Sequence, residues 1–319
     1  MLSRFEQRCR EAFGPDRLRR AVALGALTTF KVGGPAEWLI QLQSGEDVRR
    51  AIEIAAEAGL AVTAIGGGSN VLIADEGIGG LVIRIHGGDA EALGSSRIRV
   101  DAGLTINGLV RWTVSRGIAG IEAWAGTPGT LGGAVFGNAH FRGRLMSELV
   151  RRVRVVSGDG RIVDVDAAEM EFDYDFSRLH RTREVVVSAD LEVSEGEPGA
   201  LRAIARDSLA FRKRTQPLES PSAGCVFRNP GPGDSVPDGI PPSAGALVDR
   251  AGLKGAREGA AVVSPAHANF IVNEGGATAR QIRALIERCK VDVHARFGVT
   301  LREEVVYLGY PELDMRSGR

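Results

Sequence analysis

Cysteine is scarce in this sequence. The three residues present, Cys9, Cys225 and Cys289, stand far apart with no paired spacing, which builds neither a disulfide framework nor a metal knuckle. Aromatic residues are also few, at 5% of the chain, and neither charge is in excess: forty basic residues face forty acidic ones. A neutral, aromatic-poor chain has no global field to draw it to nucleic acid or anionic lipid. The densest basic cluster, Arg151, Arg152 and Arg154, reads as a solvated face. Long apolar runs are missing too. Nothing approaches the roughly 20 residues that span a bilayer, so no membrane insertion is expected. The arginine-studded start lacks the apolar stretch of an export signal, and a reducing, cytoplasmic setting is the default expectation.

What remains is an ordinary globular balance, 44% apolar and 25% charged over 319 residues, enough for two or three domains with real cores. Glycine is the outlier. There are 42, and they cluster; since glycine weakens helices and strands, clusters mark backbone that turns sharply or meets a ligand closely.

Spacing predicts a charged helix over residues 1–25, a strand over 36–42, and a helix over 46–58 closed by Gly59. Strands are expected at 61–65, 81–85 and 97–101, and a helix at 106–116. From residue 150 the texture is β, with Gly158-Asp159-Gly160 turning a hairpin between 153–157 and 161–165. A strand at 184–193 precedes a polar boundary near 195–199. An amphipathic helix follows at 200–215, then a Pro/Gly/Ser-rich loop at 217–242. The remainder suggests a small α/β domain with a helix at 278–297 and a final strand at 301–308.

Four clusters can carry chemistry. Gly66-Gly67-Gly68-Ser69-Asn70 follows an apolar strand and is either a tight strand-to-strand turn or a phosphate cradle; it lacks the Walker ending and the full dinucleotide fingerprint. The loop Gly126-Thr127-Pro128-Gly129-Thr130-Leu131-Gly132-Gly133-Ala134 is nearly bare backbone. It suits a glycine-packed helix start, or a flat ring lying against the chain. In Pro221 to Pro230, Cys225 follows Gly224 and precedes Arg228 and Asn229, so it is either a buried structural cysteine or a thiol poised near a cation. Glu303 and Glu304 sit at the entry to the last strand, where alternation does not say which faces inward. His267 to Phe270 offers further polar groups beside a short strand.

Taken in order, these motifs resemble the UDP-N-acetylenolpyruvoylglucosamine reductase (MurB) family, over nearly the whole chain. The match runs through Thr28 to Ala36, Gly66 to Asn70, Gly126 to Ala134, Asn138, Thr215-Gln216-Pro217, Pro221 to Gly224, Phe227, Asn229-Pro230, Ala251 to Gly255, His267 to Asn273 and Glu304-Val305. The short spacing before His267 resembles the form lacking an extra tyrosine-bearing loop. The resemblance implies an α+β fold: a two-part FAD-binding unit of the vanillyl-alcohol-oxidase/PCMH type (1–60 and 61–195), a smaller substrate domain (200–300) and a C-terminal strand returning to the active site (301–319). It implies NADPH and FAD as cofactors and a UDP-sugar enolpyruvyl ether as substrate; the sequence does not give the oligomeric state, and a monomer is the favoured expectation. It assigns FAD contacts to the two glycine loops, a proton-donating role to Cys225, and an assisting carboxyl to Glu304. Tyr174, Arg214, Arg228, Asn229 and Asn269 become substrate contacts.

Two stretches depart from the family pattern. The family usually carries Tyr-Arg-x-Ser, whose arginine meets the enolpyruvyl carboxylate; here Tyr174 is followed by Asp175, a reversal of charge. Arg178, three residues on, is the expected substitute and is carried forward as catalytic. After Asn138-Ala139 the family more often has Gly-Ala-Tyr; here stand His140-Phe141-Arg142. The alternatives are another FAD-linked oxidoreductase of the same fold, or a relative that binds but turns over poorly because of Asp175.

Overall fold

The computed structural model describes residues 3–231 and 233–310. A capping box opens α1 (Arg4–Phe13): the Ser3 hydroxyl accepts the Glu6 amide while Glu6 accepts the Ser3 amide. The helix expected to reach residue 25 stops here. Gly14 turns to φ +94° and Pro15 follows, after which the chain enters β1 (Arg19–Ala23).

The first sheet has four strands in the order β1, β2 (Pro35–Leu42), β5 (Ile78–Ile85), β3 (Val62–Ile65). β1 lies antiparallel to β2, while β2, β5 and β3 run parallel. Parallel neighbours need crossovers, and α2 (Gly45–Glu57) supplies one, capped by Ser44 and buried along Val48, Ala51, Ile52 and Ala55. The expected divide at residue 60 falls inside this sheet, since strands from both sides of it pair. Between β3 and β5 lies the short strand β4 (Val71–Ile73).

The second sheet is antiparallel: β6 (Ala90–Ala92), β7 (Arg97–Asp101), β8 (Val150–Val156), β9 (Ile162–Asp166) and β10 (Val185–Glu192), in the order β9-β8-β10-β7-β6. The hairpin expected around Asp159-Gly160 joins β8 to β9. α2 contacts both sheets, and one continuous core runs from Phe5 through Val48 and Leu109 to Leu191. α3 (Ile106–Ser115), α4 (Leu131–Phe136) and α5 (Pro198–Thr215) cover this unit.

A second core belongs to α6 (Ala244–Arg250), the small sheet β11 (Arg257–Glu258), β12 (Ala261–Val263), β13 (Ile271–Asn273), and α7 (Ala279–Phe297). The last strand is shorter than expected: β14 covers only Val306–Leu308. It pairs in parallel with β4, Val306 opposite Val71. Mixed helix and antiparallel-dominated sheet make the fold α+β. No helix among the described residues is long and apolar enough to cross a membrane.

Candidate active site

The two glycine loops lie against each other, backbone on backbone. A Cβ on Gly67 would stand 2.7 Å from the Gly129 Cα, and one on Gly129, at φ +99°, would stand 2.5 Å from the Ser69 hydroxyl. Glycine is therefore required for the contact and not merely tolerated. The second loop is braced from behind. Asn107 accepts the Gly126 amide at 2.7 Å and donates to the Thr127 carbonyl at 3.2 Å; Leu131 and Gly132 donate to the Leu104 and Ala102 carbonyls. Two side-chain atoms between the loops, Thr130 Oγ1 and Asn70 Oδ1, are buried without a partner. Buried polar atoms of that kind call for a ligand or water. An unpaired hydroxyl and an unpaired carbonyl beside near-bare backbone fit the expected FAD: the hydroxyl would donate to its pyrophosphate and the carbonyl would accept from an N–H of its ring edge.

The pairing of β14 with β4 brings the chain's far end to this cleft. Asn70 Nδ2 donates to the Glu304 carbonyl at 3.1 Å, and the Val306 amide to the Asn70 carbonyl at 3.0 Å. Glu304 in turn donates its amide to Val226, and Arg228 donates its amide to Arg302, so the Cys225 segment lies alongside residues 302–304. Asn269 locks the other side. Its Oδ1 accepts the Phe227 amide at 2.9 Å and its Nδ2 donates to the Phe227 carbonyl at 2.8 Å. Both ends of the Asn269 amide hold Phe227, and the side chain also bonds Cys225, which makes it a clamp for the segment carrying that thiol.

The third segment is a turn, Asp173 to Phe176, closed by reciprocal backbone bonds. Asp175 occupies its left-handed position at φ +51°, which aspartate accepts more readily than most residues. Asn138 ties this turn to the neighbouring hairpin by donating to the Asp173 carbonyl at 2.8 Å. As a result His140 Nδ1 lies 3.0 Å from Asp175 Oδ1, and the Tyr174 hydroxyl 3.1 Å from His140 Nε2. The donor atoms of His140, Asp175 and Glu304 fall within 4.8 Å of one another. Both ring nitrogens are already bonded, so this trio is a hydrogen-bonded charge cluster.

Its electrostatics are those of a site crowded with acids. Burial first, and then the charge of Asp175, pushes Glu304 up to about 8, against the opposing pull of His140 and Arg228. Burial also works against a charged His140, but the hydrogen bond and charge of Asp175, with the charge of Glu304, outweigh it and raise the ring above the ordinary histidine range. Cys225 was expected as a thiol poised beside a cation. Burial, Glu304 and Asp175 instead push it up to about 12, and Arg212 only partly offsets them. Both Cys225 and Glu304 are thus largely protonated at neutral pH: two proton donors side by side.

Arg178 does not join this cluster, which corrects the expectation that it replaces the missing arginine. Its guanidinium makes a two-point pair with Glu184, at 3.0 and 2.7 Å, and the charges that act on it are those of Glu184, Glu169 and Glu171. Arg214 is exposed on α5. The arginine of that helix that turns inward is Arg212, on the face of Leu201 and Ser208. It donates to the Thr127 hydroxyl at 2.7 Å and lies 3.7 Å over the Phe141 ring. Neither Arg212 nor His140 belongs to any motif; for Arg212, helical spacing from Ser208 was the available signal. Arg228 does reach the cluster, donating from one terminal nitrogen to the Asp175 carbonyl at 3.0 Å while its Nε is buried without a partner. Asn229 caps the entry to α6 by accepting the Ala244 amide, and its side chain also bonds the Tyr174 hydroxyl.

Residues 36–166 match the FAD binding domain family, and residues 216–308 match the family described as UDP-N-acetylenolpyruvoylglucosamine reductase, C-terminal domain. A UDP-N-acetylenolpyruvoylglucosamine reductase from Gloeobacter violaceus is 42% identical over 92% of this chain and 97% of its own. Reductase 2 of Symbiobacterium thermophilum is 39% identical over 93% of this chain and 94% of its own. The crystal structure of the Thermus caldophilus reductase superposes with a TM-score of 0.77 at 34% identity, covering 92% of this chain and 99% of that one. The chain belongs to the UDP-N-acetylenolpyruvoylglucosamine reductase family.

Proposed function

We propose that this protein reduces the enolpyruvyl group of UDP-N-acetylglucosamine enolpyruvate to give UDP-N-acetylmuramate, a peptidoglycan precursor. One observation carries the reading: the strand pairing that sets Asn70 of a glycine loop against Glu304, with Cys225 alongside. A cofactor cleft and a pair of protonated acids share one wall. FAD would be held by Gly66 to Asn70 and Gly126 to Ala134, and would supply the two-electron chemistry that links NADPH to the substrate.

The chain's own part is charge and protons. Hydride addition at C3 leaves negative charge on C2 and the adjoining carboxylate, and C2 needs a proton. Cys225 donates it; a thiol that keeps its proton to about pH 12 is available at any physiological pH. Glu304, neutral below about 8, stands beside it and does not repel the substrate carboxylate. Arg228 and Arg212 add fixed positive charge on either side. We place the divide between the two FAD-binding parts after Ile85, where the first sheet ends, and the substrate part beyond α5. A nucleotide-sugar substrate supports a cytoplasmic setting, and we propose that the enzyme acts there, as a monomer.

The test is anaerobic. NADPH is added to the flavoprotein and bleaching followed, then UDP-N-acetylglucosamine enolpyruvate is added and reoxidation followed. Return of the oxidised spectrum, with UDP-N-acetylmuramate formed, is expected; reduced flavin that ignores the enolpyruvyl ether refutes the reading.

A further inference from the structure

The two departures from the family pattern, His140 and Asp175, are 35 positions apart in sequence and 3.0 Å apart in space. Asp175 is buried, at 6% exposure, with Oδ1 on His140 Nδ1 and Oδ2 without a partner. His140 continues the line: its Nε2 meets the Tyr174 hydroxyl at 3.1 Å, the two rings 4.6 Å apart. Tyr174 lies within the field of Asp175, Glu304 and Cys225, after burial the charges that raise its hydroxyl to about 12. Three side chains thus run from a buried anion to a hydroxyl at the centre of the site.

Histidine gives that line a direction. A protonated ring donates from both nitrogens, so Nε2–H points at the Tyr174 oxygen and leaves the tyrosine's own O–H free to donate outward. A neutral ring whose proton stays on Nδ1, facing Asp175, accepts at Nε2 and takes the tyrosine's hydrogen bond for itself. The other cations are committed elsewhere or fixed: Arg178 is spent on Glu184, Arg212 on Thr127, and Arg228 bonds the Asp175 carbonyl.

We propose that the Tyr174–His140–Asp175 line stands in for the missing arginine, Tyr174 donating to the enolpyruvyl carboxylate while the imidazolium behind it supplies the positive charge. This rests on the reductase reading above. Tyr174 touches the substrate; His140 and Asp175 are positioning residues. Asp175 then ceases to be a misplaced negative charge and becomes the counter-ion that keeps the ring protonated. The exchange has a cost that an arginine would not carry, because the charge can be titrated away.

The groups facing His140 are Asp175 and Tyr174 from the turn, Glu304 from the C-terminal segment, and Cys225 and Arg228 from the segment beside it. Tyr174 and Cys225 hold their protons to about 12, while Glu304, at about 8, is a second group that changes charge in the assayed range and is controlled for by Glu304→Gln.

The experiment is the Kd of UDP-N-acetylglucosamine enolpyruvate for the oxidised holoenzyme, read from the flavin spectrum between pH 5.5 and 9. Wild-type Kd is expected to rise by up to about tenfold per pH unit above the His140 transition. His140→Gln is expected to bind about 10–100-fold more weakly at low pH, the loss of a charge-assisted contact, and to keep no transition beyond the one that Glu304→Gln abolishes. Asp175→Asn should move it to lower pH, and His140→Gly/Asp175→Arg should restore tight binding that is flat in pH. A flat wild-type profile overturns the proposal, as does a transition that survives His140→Gln combined with Glu304→Gln, or one that stays in place in Asp175→Asn. Failure of the reductase reading looks different: reduced wild-type flavin would not be reoxidised by the enolpyruvyl ether at any pH.

Discussion

Replacing Glu304 by Gln should make the folded protein less sensitive to alkali. Folding lifts this carboxyl from 4.5 to about 8, chiefly by burial and next by the charge of Asp175. A carboxyl raised in this way contributes stability that is intact below its unfolded value and is lost as pH climbs through the folded one. The span from 4.5 to about 8 sets a ceiling of about 5 kcal/mol at about 1.36 kcal/mol for each tenfold step. About 4 kcal/mol of it falls between pH 5 and pH 9. Relaxation of His140 and Arg228 toward the new anion reduces that figure, so a loss of at least about 2 kcal/mol is the practical expectation. Glutamine keeps the shape and has nothing to ionise. Urea unfolding at saturating FAD, at each of several pH values, gives the assay, and groups common to both proteins largely cancel in the difference. Wild type should lose stability relative to Glu304→Gln steadily from pH 5 to 9. Parallel curves would show that Glu304 is ionised without cost in the folded state, and the picture of two neutral acids side by side would fall with it.

Other expectations are simpler. Arg178→Ala should leave kcat within about twofold, because its charge is engaged by Glu184; it should cost about 1–3 kcal/mol of stability from the partner left unpaired, and a large fall in turnover would return Arg178 to the site. Asn269→Ala removes two buried hydrogen bonds from the Phe227 backbone and should cost about 2–4 kcal/mol, with a lowered Tm and no change in flavin reduction by NADPH. Gly129→Ala forces a Cβ to 2.5 Å from the Ser69 hydroxyl at a backbone angle of φ +99°; purified protein should carry little flavin, and full occupancy would contradict the packed-loop geometry.

Much of the fold was legible because the patterns are local. The helix ending at Gly59, the β8–β9 hairpin and the strand at 97–101 follow from spacing and turn residues. The long first helix failed because charge alone was followed past Gly14 and Pro15, where backbone geometry stops a helix whatever its surface. At the site, composition left the glycine loops, Cys225 and Glu304 each with two readings, and the resemblance to the reductase family singled them out. It did not single out His140 or Arg212 as site residues. Arg214 sits closer to the recognisable Thr215-Gln216-Pro217, yet two residues along a helix is about half a turn, and the inward arginine is the one in register with Ser208. The His140–Asp175 contact was invisible for a different reason. Each residue looks like a defect where it stands in the chain, and only three-dimensional proximity turns the two into a pair.

The pairing of β14 with β4 also fixes when the site can exist. Asn70 and Glu304 meet across 234 positions of sequence, so a ribosome working at roughly 5–20 residues per second needs roughly 10–50 s to deliver the second after the first. During that interval the glycine loops are made but the wall bearing Glu304 is not. A nascent chain stalled before residue 300 would therefore present the two glycine loops without the segment that carries Glu304.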